Sequence, residues 1–213
     1  MTRKLAALLA AVLLCLAGMT DIKAQSRYGV IGGINFSTAN IKNLNRGTMT
    51  QWHAGLTYKL DLPLGFSLQP SLIYNVKGAK VGGELTKFDL SMGYLELPVS
   101  LQWGPDLLLF RPFLDVTPYI GYAVSNKFSA QGVEPVRNNW KDSALQRFEY
   151  GLGLGIGLEI WRFQVIGRYN WNFGSLYDAK VQNTDGLIKN AFDGKNFGGI
   201  TLSVAFLFGG GRK

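Results

Sequence analysis

His53 is the one histidine among 213 residues, and imidazole is the side chain whose unperturbed titration lies closest to neutral pH. As a general base it needs a nucleophile within hydrogen-bond reach and an acid to orient it. Ser71 or Ser203 with a carboxylate would complete such a set, yet no nucleophile motif surrounds either serine. A histidine at the rim of a polar interior is the simpler expectation. One imidazole cannot build a metal cluster, and the only cysteine is Cys15, so neither a metal nor a cofactor is expected. Glu96, Glu149 and Glu159 suggest paired carboxylates for glycoside hydrolysis, which requires a sugar-sized cleft between them. Gly151, Gly153, Gly155 and Gly157 suggest a phosphate loop, but their Gly-x-Gly-x-Gly-x-Gly spacing lies inside one stretch and opens no helix. None of these sets is complete, and the chain is expected not to be an enzyme.

What must position these residues is clearest in Phe148–Ile160. Phe148, Tyr150, Leu152, Leu154, Ile156, Leu158 and Ile160 alternate with Glu149, four glycines and Glu159. A strand sends alternate side chains to opposite faces. A helix would scatter the large residues around its circumference and lose about 1 kcal/mol at each interior glycine. The stretch is also long enough for a membrane-spanning strand, which needs about 9 to 11 residues.

The same period recurs along the chain. Strands are predicted over 28–37, 52–60, 66–75, 93–103, 110–124, 148–160, 163–173 and 197–208, with Pro98 marking a bulge in the fourth because proline lacks a ladder donor. Long polar connections (38–51, 76–90, 125–147, 174–196) alternate with short turns (61–65, 104–109 and Trp161-Arg162). Eight strands wired this way predict an all-β fold, a closed up-and-down antiparallel transmembrane β-barrel with extended outer loops and tight periplasmic turns.

Side-chain size decides which face points inward. An eight-stranded barrel has room inside only for side chains, and a face of Trp, Tyr, Phe, Leu and Ile from every strand would overfill it. The interior is therefore assigned the small residues and the ions Glu96, Arg111, Asp115, Glu149, Glu159 and Arg168. Arg168 falls opposite Gly155 across the Trp161-Arg162 turn, so its guanidinium is predicted to cross the glycine toward Glu96 or Glu149. Trp52, Tyr74, Trp103, Tyr122, Trp171 and Phe208 fall near strand ends on the large-residue face and predict the aromatic girdles that meet lipid headgroups.

The formal charge of +8 and a pI near 9.6 invite a nucleic-acid reading. The N-terminus argues against it. Thr2-Arg3-Lys4, an apolar run over 5–19 and Ile22-Lys23-Ala24 before Gln25 have the form of an export signal over 1–24, leaving a barrel domain over 25–213. Cys15 lies mid-run after Leu14, which does not suit a lipoprotein. Removing 1–24 takes away three positive charges and one negative, so +8 becomes +6, and takes the only thiol. The predicted loops hold twelve Lys and Arg, Lys77 among them, against seven acids, an excess suited to lipopolysaccharide phosphates at contact range.

Four motifs in order, Leu68-Gln69-Pro70 before Leu72-Ile73-Tyr74, Tyr94-Leu95-Glu96-Leu97-Pro98, Pro118-Tyr119-Ile120-Gly121-Tyr122 and Arg168-Tyr169-Asn170-Trp171, resemble the PorT-like outer-membrane β-barrel family of Bacteroidota. The resemblance implies a bacterial outer-membrane location. It also implies an accessory role in protein secretion, since the family takes its name from a member implicated in export across that membrane. The expected function is a structural or interaction barrel, its loops presented to an envelope or secretion-system protein or to outer-membrane lipid and lipopolysaccharide. The alternative is a narrow porin-like channel.

Overall fold

The computed structural model describes residues 25–39, 49–83, 86–130, 133–136, 147–173 and 197–209. The expected export signal over 1–24 and the stretch 174–196 lie outside the described residues. The strands are β1 (Gln25–Ala39), β2 (Met49–Asp61), β3 (Phe66–Gly83), β4 (Thr86–Trp103), β5 (Phe110–Ala130), β6 (Val133–Val136), β7 (Phe148–Ile160), β8 (Phe163–Asn172) and β9 (Phe197–Phe208). Consecutive strands pair antiparallel from β1 to β5, β5 passes to β7, and β7, β8 and β9 follow in turn. β9 then pairs with β1. The result is a closed antiparallel barrel of eight long strands, with β6 a short addition to the outer part of β5.

Burial is inverted relative to a water-soluble protein, in which charged residues are almost never fully buried. Leu56, Leu72, Leu97, Leu114, Ile156, Val165 and Leu202 are exposed, while Arg27, Lys59, Glu96, Arg111, Asp115, Glu149 and Glu159 are buried. The greasy set thus faces outward, as a strand crossing lipid requires. Inside, Ile31, Ile73 and Ala205 form a small apolar patch.

Five strands run longer than the sequence predicts, β1 and β2 by five and four residues and β3, β4 and β5 by more. β3 and β4 continue as one ladder to the pair Gly83↔Thr86, where a loop over 76–90 is predicted, and β5 reaches Ala130. In β4 the alternation persists, but Phe88, Leu90 and Met92 fall out of phase with Leu95 and Leu97, and in β5 the polar run Ser125-Asn126-Lys127 interrupts the pattern, so each strand looks finished where it continues. The predicted bulge at Pro98 is also displaced. Pro98 pairs in register with Tyr119, and the irregularity lies between Gly93 and Tyr94, where β5 supplies one extra residue.

The short turns gather at one end. Trp161-Arg162 joins Ile160 to its partner Phe163, with Trp161 at φ 56. Between β2 and β3 a single 3-10 turn, Pro63–Gly65, holds Leu64 at φ 61 and ψ 25, a conformation that costs a residue with a side chain about 1 kcal/mol or more. The next turn is stitched to it, for the Gly104 N–H donates to the Gly65 carbonyl at 3.1 Å. The Arg111 guanidinium reaches the same carbonyl at 2.6 Å.

Candidate functional site

The polar side chains of the lumen form three ionic layers, built where strand alternation aims them. At the turn end Arg27 bonds Asp61 at 2.8 Å and Glu159 at 2.7 Å. Lys59 pairs with the same two carboxylates. Gln164 donates to Glu159 at 2.8 Å, and Gln102 to Gln69 at 2.9 Å. Arg27, Lys59, Gln69, Gln102, Arg111, Glu159 and Gln164 are each 2% exposed or less, so this layer closes the barrel's cross-section.

The middle layer rests on a row of three paired residues, Asp115, Gly155 and Arg168, on β5, β7 and β8. Having no side chain, Gly155 lets Arg168 reach over it to Asp115 at 2.7 Å and on to Ser100 at 3.0 Å. A Cβ at Gly153 would stand 2.4 Å from the Arg168 Cδ, so that glycine also leaves room for the arginine stem. The sequence reading of Arg168 is thereby corrected: it crosses the glycine, but its carboxylate is Asp115, neither Glu96 nor Glu149.

The outer layer centres on Lys77, whose ammonium lies 2.6 Å from Glu149 and 2.9 Å from Glu96, over the rings of Tyr119 and Tyr94. Asn75 donates to both oxygens of Glu96 and Asn172 to Glu149. Gly121 makes the space, since a Cβ there would lie 2.9 Å from the Cγ atoms of both glutamates. Lys77 is therefore no loop cation, as the sequence reading has it, but a buried one. Arg27 and Asp61 are likewise interior residues that the reading missed. Arg27 shares the alternation of Gly29, Gly33 and Asn35, and carrying that pattern one step further toward the N-terminus would have found it.

His53 is buried and shares a hydrogen bond of 2.9 Å between Nε2 and the Ser203 hydroxyl. Nδ1, where an orienting acid belongs, has no hydrogen-bond partner among the described residues. Glu96 is taken by Asn75 and Lys77, and Ser71 donates to Thr57 at 2.8 Å. The neighbouring cavity, lined by Asn35, His53, Asn75, Arg168 and Ser203 among others, measures about 60 Å³. Small-molecule sites typically span about 300–1,000 Å³, so this cavity is not sugar-sized, and the space between Glu96 and Glu149 is taken by the Lys77 ammonium. Among the described residues no group of three or more His, Cys, Asp or Glu is placed to hold a metal ion.

On the outer surface the predicted girdle residues divide between the two ends. Trp52 packs on Tyr74 at 5.6 Å, with Tyr122 and Trp171 at the same loop end. Trp103 packs on Phe66 at 6.5 Å and Phe208 on Tyr28 at 5.8 Å at the turn end.

Residues 23–178 match the family described as Outer membrane protein beta-barrel domain. The chain belongs to that family. As a member of the outer-membrane barrels it is a bacterial outer-membrane protein, with the large-residue face of its strands against lipid. No curated protein matches the sequence. Similar solved structures include Ail, the attachment invasion locus protein of Yersinia pestis, in complex with the heparin analogue sucrose octasulfate. It is 13% identical, with 86% of this chain and 99% of that chain covered and a TM-score of 0.45. Neisserial surface protein A is 13% identical, with 85% and 97% covered and a TM-score of 0.46.

Proposed function

We propose that this outer-membrane barrel is neither an enzyme nor a channel, and that it holds β3, β4 and β5 above the outer leaflet as a contact surface for another envelope component. The observation that carries this reading is the unequal length of the wall. β3, β4 and β5 have 18, 18 and 21 residues, against 13 in β7 and 10 in β8. A span uses about 9 to 11 residues, so at about 3.3 Å per residue β3 and β4 each carry roughly 25 Å of surplus length and β5 roughly 35 Å. The filled turn-end layer argues against a solute path, and among the described residues no acid orients His53 Nδ1, which supports a non-catalytic reading.

The contact is with a partner protein of the envelope or with lipopolysaccharide, whose phosphates suit the basic loops. The PorT-like resemblance makes the finer form an accessory of protein secretion, with residues 1–24 as the export signal. Neither nucleic acid nor a cofactor enters this reading. The test is recovery of the intact protein from its membranes in mild detergent, with partners identified by mass spectrometry. It is repeated on a variant in which 79–90 is replaced by a tight turn. Loss of a partner, or of salt-sensitive lipopolysaccharide binding, from a variant that still folds supports the proposal. Unchanged recovery of every partner and of lipopolysaccharide refutes it.

A further inference from the structure

The periplasmic rim carries four leucines where a turn in water would be polar. Leu64 is 87% exposed and Leu109 81%, Leu108 is fully exposed, and Leu107 is 44% exposed. Their two turns read Leu62-Pro63-Leu64-Gly65 and Gly104-Pro105-Asp106-Leu107-Leu108-Leu109, so the only ionised side chain between them is Asp106, which pairs with Arg111 at 3.4 Å. The hydrogen bonds that converge on the Gly65 carbonyl make the two turns one tip. Leu64 occupies a left-handed conformation that glycine or asparagine would adopt at less cost, and it does so with its side chain almost wholly exposed.

We infer that this leucine tip is a membrane anchor, inserted among the acyl chains of the phospholipid leaflet facing the periplasm. The occupant follows from continuity. Trp103 ends β4, Phe110 begins β5 and Phe66 begins β3, all three are exposed on the lipid side, and the tip extends the same apolar surface, broken only by Asp106, which is 60% exposed and paired with Arg111. A contiguous exposed apolar surface of this kind marks a protein or membrane contact. The absence of any ionised group in the two turns except a paired aspartate favours acyl chains over a protein partner, which usually adds a polar rim.

The test places a single thiol on the full chain, with Cys15→Ser removing the native one. Leu108→Cys is labelled with an environment-sensitive dye after folding into vesicles of phosphatidylethanolamine and phosphatidylglycerol. Leu154→Cys, on the lipid face of β7, serves as the buried reference and the free dye conjugate as the aqueous one. The Leu108 label is expected to shift to the blue and to be quenched by brominated acyl chains at least half as strongly as the Leu154 label, with iodide quenching at least threefold below that of the free conjugate. A Leu108 label that matches the free conjugate overturns the inference, and would turn the tip toward a soluble partner instead. In addition, replacing Leu64, Leu107, Leu108 and Leu109 with serine should slow folding into vesicles several-fold and leave folding in detergent micelles unchanged. Equal slowing in both media would mean that the leucines serve the turns themselves, and would also overturn it.

Discussion

Lys77 is one ammonium shared by two carboxylates, and the balance among Lys77, Glu96 and Glu149 is set by which groups remain charged. A buried ion pair adds little net stability, but removing one partner strands the other charge at a cost of about 3–5 kcal/mol. Lys77→Met should therefore destabilise the barrel by about that amount in urea titrations on lipid vesicles. Adding Glu149→Gln should recover part of the loss, because one stranded charge is gone. Arg168→Ala, which strands Asp115, should likewise lower stability more than Lys141→Ala in the stretch 137–146; equal losses would mean that the bond to Asp115 does not hold the wall. Individual residues were only partly legible in the sequence. Period two assigned Arg168 and Asp115 to the interior, but their pairing depends on the register between β5 and β7. That register crosses a long connection and is fixed by no turn. Lys77 was misread because Val76 closes the last clear alternation of β3, and a lysine after it looks like the start of a loop.

At the scale of the element, β7 shows why one strand alternates glycine with large residues. Its outward side chains meet lipid, while its inward positions yield to whatever crosses the lumen from neighbouring strands. Gly157 faces the Phe113 ring, and a Cβ there would stand 2.2 Å from the nearest ring carbon. Overpacking a filled interior typically costs about 1–3 kcal/mol. Gly157→Val should show a loss of that size in the same titration, and Phe113→Leu should relieve it in the double variant. The bounds of β7 and β9 were readable because both are bracketed by abrupt changes of pattern. The outer ends of β3, β4 and β5 were not, since Gly78, Gly82 and Gly83 thin the pattern of β3, Phe88, Leu90 and Met92 run out of phase with the rest of β4, and Ser125-Asn126-Lys127 interrupts β5.

For the whole molecule, the stacked layers predict an electrically silent barrel. Purified protein in planar bilayers should show no reproducible single-channel steps, and regular steps would return the narrow channel to first place. Arg27 also constrains how the wall can be made. It belongs to the first strand, yet one of its two carboxylates is Glu159, 132 positions later. Until β7 is in place, Asp61 is the only one of the two that can reach that guanidinium. Completing the charge balance of the turn-end layer and closing the wall between β9 and β1 are therefore linked.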